Sequence, residues 1–115
     1  MAAECILRGA PGSKSEAVQY FNIVRSRAYK STLTNLTEAE LDLQQIIDER
    51  ARELMWEGHR RTDLIRFDQF VTNEYLWAWK GGVPEGTSVP NFRRVFPIPT
   101  SDLNNNPNLK QNEGY

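Results

Sequence analysis

Apolar residues recur with a helical period up to about Phe70, and no single period holds after that. Residues 2–8 read as the end of a helix, with Arg8 in the last turn and Gly9-Ala-Pro-Gly12 as the stop signal. Ser13-Lys-Ser-Glu16 is a capping-box pattern that opens a helix to about Tyr29. Its apolar stripe is Ala17, Tyr20, Phe21, Val24 and Ala28. Two helices joined by a short Gly/Pro turn make a helical hairpin, the unit of helical repeats, and one such unit is visible. Residues 30–36 form a polar linker. Thr37-Glu-Ala-Glu40 is a second capping box, worth roughly 1 kcal/mol at the cap, and it predicts a helix to about Glu57, stopped by Gly58. A shorter helix over about residues 60–70 carries Leu64, Phe67 and Phe70 on one side.

Residues 71–95 read as irregular. Tyr75, Trp77 and Trp79 alternate with Leu76, Ala78 and Lys80, a strand-like period of two that Gly81-Gly82 and Pro84-Glu-Gly86 break. Residues 93–96 read as a short strand or extended segment. Residues 96–115 are dominated by Pro, Asn, Gly and Ser, yet Ile98, Leu103, Leu109 and Tyr115 are spaced through them. Such spacing suits a tail laid over a folded surface, with each apolar side chain in a groove and Asn and Pro setting the turns.

The third helix poses a charge problem. At about 100° per residue, Leu43, Ile46, Ile47 and Leu54 define the buried arc. Arg50 and Glu57 fall inside that arc, and Glu53 lies at its edge. Asp42, Gln45, Asp48, Glu49, Arg52 and Trp56 take the opposite face. Charges on an apolar stripe are costly unless paired. His59, Arg60, Asp63 and Arg66 follow within reach, so the sequence predicts an ion-pair network of Arg50, Glu53, Glu57, Arg60, Asp63 and Arg66 across the Gly58 bend. The planar fork of Arg suits this work, since it can bond two carboxylate oxygens at once. Glu49, Glu53, Glu57 and Asp63 could instead supply an acid/base pair, and His59 a general base or metal ligand. Carboxylates interleaved with Arg at helical spacing are more often structural, and no metal-ligand spacing such as His-Glu-x-x-His is present.

Composition narrows the partners. The chain has 115 residues, room for one domain and one core. It is 39% hydrophobic and 25% charged, the balance of a globular protein. With 14 basic and 15 acidic residues there is no basic field for nucleic acid and no polybasic run for an anionic membrane. No apolar run approaches the length of a bilayer span. Met1-Ala-Ala-Glu has neither the basic start nor the apolar stretch of a secretory signal. The single cysteine, Cys5, cannot form an internal disulfide. Its upstream residues cannot form the apolar region of a lipid-attachment signal, so it reads as a small core residue.

Glu49-Arg-Ala-Arg-Glu-Leu-Met-Trp-Glu-Gly-His-Arg-Arg-Thr-Asp-Leu-Ile-Arg66, with Phe96-Pro-Ile-Pro and Asn106-Pro-Asn-Leu-Lys-Gln-Asn-Glu-Gly-Tyr115, resembles the C-terminal part of the SusD/RagB family. The motif matches at Glu49, Arg50, Glu53, Leu54, Glu57, Gly58, His59, Arg60, Asp63, Leu64 and Arg66. Arg61 and Thr62 stand where family members usually carry aromatics, and Glu113 replaces a common proline. The hairpin over residues 2–28 is also similar to the family's tetratricopeptide-like helices.

The resemblance implies a mainly α fold: a tetratricopeptide-like hairpin, two further helices, and an irregular Pro/Asn-rich C-terminal segment packed over them. It implies one SusD/RagB-like C-terminal domain fragment over residues 1–115, helical over 1–70 and a wrap over 71–115. Family members are lipid-anchored on the outer face of the outer membrane. They bind glycans or other nutrients beside a SusC-type TonB-dependent transporter, without catalysis, metal or cofactor. The chain is thus expected to be the C-terminal portion of such a protein, with the lipid anchor outside it. The family's known glycan contacts lie mostly outside this region, so the resemblance carries over no ligand residue. For an oligosaccharide, Tyr75, Trp77 and Trp79 are the candidate platform, because sugars stack their C–H faces on aromatic rings. The other reading is that they pack on the helices or on the rest of the protein. The alternative is a helical protein–protein interaction scaffold with no ligand site of its own.

Overall fold

The computed structural model describes residues 1–115 and is helical, without strands. It divides into two compact units, residues 1–60 and residues 61–115.

In the first unit, α1 (Ala2–Leu7) and α2 (Lys14–Tyr29) form the expected hairpin. Gly12 permits the turn: its φ is +139°, and a Cβ there would lie 2.8 Å from the Ile6 side chain. The capping box closes as the sequence predicts. The Glu16 N–H donates to Ser13 Oγ at 3.1 Å, and the Ser13 N–H donates to the Glu16 carboxylate at 2.7 Å. Ala3, Ala17 and Phe21 are buried, and the two alanines let the helices approach closely. Tyr20 and Ala28, placed on the buried stripe by the periodicity, are exposed. Cys5 is exposed as well, and not the core residue expected. It lies two positions past buried Ala3, roughly 200° around the helix.

The linker after α2 is tied to that helix by side chains. Asn22 donates to the Leu36 carbonyl at 2.8 Å and accepts from the Leu36 N–H at 2.9 Å. Arg25 Nε donates to the Thr34 carbonyl at 2.5 Å. The second capping motif closes a turn and not a helix: the Thr37 N–H and hydroxyl both donate to Glu40, at 2.8 and 2.7 Å. These bonds hold the Glu40 carboxyl below the usual carboxylate range. The helix itself, α3 (Leu43–Glu53), starts from Asp42, which accepts from the Gln45 N–H at 2.7 Å. Leu41, between the two caps, is drawn into the core and keeps them apart.

α3 ends at Glu53, earlier than the sequence predicts. Residues 54–58 turn, with Trp56 and Gly58 both at positive φ. Two corrections to the helical wheel follow. Glu57 lies beyond the helix, out of phase with it, and is exposed. Glu49, assigned to the outer face, is buried beside Ile46 and Ile47. It is buried because α2 meets it there: Arg25 and Arg52 donate to the same Glu49 oxygen at 2.7 and 2.6 Å. Arg50 is half-buried and Arg52 exposed, in the order expected.

In the second unit, α4 (Arg60–Arg66) buries Asp63 and Leu64. It ends well before Phe70 because Asp68 takes a left-handed conformation at φ 63°. Residues 75–79 are not a strand. Trp79 is left-handed at φ 68° and leads into a short 3₁₀ turn, Lys80–Gly82. A second 3₁₀ turn, Asn91–Arg94, occupies part of the segment read as extended. Lys80 organises the loop before it. Its side chain is buried, and its ammonium donates to the Thr72 and Tyr75 carbonyls at 2.5 and 2.6 Å. Burial pushes its pKa down.

The C-terminal segment includes α5 (Thr100–Asn105), which the turn-rich composition concealed. The segment is held, but mainly by polar bonds. Gln111 accepts from the Ile98 N–H at 2.8 Å and donates to its carbonyl at 2.9 Å. Asn112 donates to the Phe96 carbonyl at 2.7 Å, and the Tyr115 hydroxyl to the Val95 carbonyl at 2.7 Å. Ile98 and Leu103 are half-buried, whereas Leu109 and Tyr115 remain exposed, so a row of apolar plugs does not describe it. Gly114 lies directly on the Phe92 ring, where a Cβ would come within 2.4 Å.

Two stability predictions follow. Arg25→Met should cost about 3 kcal/mol, the low end for breaking a buried pair, because Arg52 still reaches Glu49. Arg27→Met, which removes only a surface pair with Glu53, should cost less than about 1 kcal/mol. Urea denaturation of both variants makes the comparison, and equal midpoints would contradict it. Gly114→Ala should speed amide hydrogen exchange over residues 106–115 far more than Gly82→Ala. Both glycines have positive φ, but only Gly114 has a neighbour in the way.

Candidate functional site

The second unit gathers most of the chain's exposed aromatic surface. The Trp77 ring lies 5.8 Å from Phe70 and 6.2 Å from Tyr75, centroid to centroid. The Lys80 ammonium sits 4.8 Å from its centre and fixes its inner face. Trp79 takes no part in these ring contacts and is 67% exposed, because the left-handed turn at that residue ends the alternation. Of the three aromatics expected to make a platform, Tyr75 and Trp77 are therefore neighbours, while Trp79 stands apart.

A recess of about 270 Å³ opens beside Trp77. Phe70, Val89, Phe96 and Tyr115 supply its apolar lining, and Arg61 and Arg93 its polar groups. The Arg61 guanidinium lies 4.9 Å from the centre of Phe70 and 4.0 Å from that of Phe96. It also donates to the Arg93 and Arg94 carbonyls at 3.0 and 3.1 Å. The Arg61 guanidinium thus lies among rings, at one of the two positions where the resemblance leads one to expect aromatics. Tyr115 packs edge-on against Phe92, with centroids 4.9 Å apart and planes at 80°. The terminal segment is thereby part of the recess wall. Pattern reading missed Phe96, Tyr115 and Arg61 as lining residues. They come from three separate stretches of chain, and no periodicity connects them.

The charged motif is distributed within each unit as follows. In the first, Glu53 pairs with Arg27 of α2, and the half-buried Arg60 donates to the Ile47 carbonyl at 3.1 Å. Arg50 lies 3.1 Å from the Met1 sulfur. In the second, buried Asp63 pairs with Arg66 at 2.8 Å. Arg25 and Arg52 both donate to one oxygen of the buried Glu49 carboxylate. His59 is exposed, and no group of three or more His, Cys, Asp or Glu residues is placed to hold a metal ion. No helix is long and apolar enough to cross a membrane.

Comparison with known proteins agrees with this architecture. The SusD family model matches residues 1–115. Over 72 residues the chain is 60% identical to the starch-binding protein SusD of Bacteroides thetaiotaomicron, which covers 63% of this chain and 13% of that protein. Over 123 residues it is 36% identical to a SusD-like protein of Formosa agariphila, covering 100% of this chain and 23% of that protein. Surface glycan-binding protein A from Bacteroides thetaiotaomicron superposes with a TM-score of 0.76 at 31% identity, over 97% of this chain and 22% of that chain. The chain therefore spans less than a quarter of each relative (13%, 23% and 22%). On a family match along its whole length, and on the helical fold it shares with a solved relative, this chain belongs to the SusD family.

Proposed function

We propose that the chain is the C-terminal portion of a cell-surface glycan-binding protein that captures oligosaccharides and passes them to a SusC-type TonB-dependent transporter. It acts without catalysis, on the outer face of the outer membrane. The names of its relatives, a starch-binding and a surface glycan-binding protein, support the glycan reading. The observation that carries it is the aromatic recess around Trp77. Sugar rings present flat C–H faces that stack on aromatic rings, while their hydroxyls need donors and acceptors at the rim. Trp77 offers the stacking face, Tyr75 supports it from the side, and Trp79 extends the exposed aromatic surface from the next turn.

In this reading the charged residues Arg50, Glu53, Glu57, Arg60, Asp63 and Arg66 are architectural and serve to hold the chain's course on either side of Gly58. Commitment of Glu49 to two arginines supports a binding role over acid–base chemistry.

A second reading rests on the first unit. Trp56 is 94% exposed at the α3 end, and Met55 and Leu33 are exposed too. Apolar surface of this kind suits a protein–protein scaffold.

Titration of the full chain with maltohexaose, followed by tryptophan fluorescence and calorimetry, separates the two. Binding with a change in tryptophan emission is expected, and Trp77→Ala should weaken it at least about tenfold. Trp56→Ala should leave it unchanged. If no oligosaccharide binds, and the chain instead co-purifies with a membrane transporter through Trp56, the scaffold reading replaces this one.

A further inference from the structure

We infer that the recess beside Trp77 is built for a carboxylate-bearing sugar, a uronic acid residue within an oligosaccharide, and not for a neutral glucan. The inference rests on the glycan reading above and narrows its ligand. Its basis is the charge of the lining. Arg61 and Arg93 both face the recess, and no Asp or Glu lines it. No ion pair joins either arginine to an acid. Arg61 spends one terminal nitrogen on the Arg93 and Arg94 carbonyls and leaves its other donors uncommitted. Arg93 is exposed, and its side chain makes no hydrogen bond. Its guanidinium rests 5.0 Å from the centre of Phe92 and 5.4 Å from that of Tyr115.

Cation–π contacts hold each guanidinium close to two rings, Arg61 beside Phe70 and Phe96 and Arg93 beside Phe92 and Tyr115, and such contacts do not use N–H donors. A planar fork held in this way is matched to a carboxylate, which accepts two parallel hydrogen bonds. Trp77, Phe96 and Tyr115 then offer apolar faces to the sugar ring that carries the carboxylate. A neutral glucan would use the same rings but would leave two cationic donor sets facing only hydroxyls. The chain as a whole carries a net charge of −1, so any preference for an acidic glycan must come from this local pair and not from the molecule's overall field.

The test compares hexasaccharides of matched length by calorimetry on the full chain: an oligogalacturonate, maltohexaose, and a sulfated oligosaccharide. The oligogalacturonate should bind at least about tenfold more tightly than maltohexaose, and that margin should shrink as salt is raised. Arg93→Gln should remove most of the margin, weakening oligogalacturonate binding more than maltohexaose binding. The Arg93 side chain is exposed and makes no hydrogen bond, so this variant is expected to fold. Arg61→Lys, which keeps the charge but loses the stacked fork, should reduce it as well. The exposed Lys110→Met, which lies outside the recess, is the control. Equal affinity for oligogalacturonate and maltohexaose would overturn the inference and leave glycan binding standing. A preference for the sulfated sugar over the uronate would also overturn it. Absence of binding to all three would overturn both readings together.

Discussion

Buried peptide groups outside helices must find partners, and this constraint governs the whole chain. Fewer than half of its residues lie in α-helices, so long stretches of backbone have no ladder of their own. Long polar side chains fill the gap. Asn22 and Arg25 serve the linker at Leu36 and Thr34. Lys80 serves Thr72 and Tyr75, and Arg61 serves residues 93 and 94. Gln111, Asn112 and Tyr115 serve Ile98, Phe96 and Val95. Without these bonds the irregular segments would expose or strand their carbonyls, and the recess would lose its walls.

Charge burial in the first unit obeys the same logic. A carboxylate on the inner side of α3 would be unfavourable alone. Glu49 is tolerated because Arg25 reaches it from α2, and the same Arg25 also bonds the Thr34 carbonyl and lies over the Phe21 and Tyr29 rings. One cation thus joins a helix pair, a linker and two aromatics. Such a residue is costly to replace because removing it strands several partners at once. Surface pairs such as Arg27 with Glu53 lack that multiplicity.

Assembly of the recess shows how a site arises from segments that hold no regular structure. Trp77 is set by a lysine behind it, Phe96 by an arginine plane against it, and Tyr115 by an edge contact with Phe92 and a hydroxyl bond to Val95. A polar group thus contacts each of these aromatics. The proposed sugar stacking would use the ring surface that remains exposed. The arginines beside the rings also give the recess its positive charge.

Local chemistry was enough to reveal the hairpin of α1 and α2, the Ser13 capping box, the stop at Gly9–Gly12 and the helical period of α3, since caps and periodicity depend on residues a few positions apart. The mainly α class was legible for the same reason. Tertiary structure decided the rest. Which carboxylate on α3 is buried depended on where Arg25 stands across from it, and the start of that helix on the burial of Leu41 between two competing caps. The strand-like alternation at Tyr75–Trp79 gave way to a turn once Lys80 was buried and Trp79 became left-handed. The recess brought together residues 61, 77, 93, 96 and 115, whose adjacency no local pattern encodes, because it is set by side chains bonding backbone far along the chain.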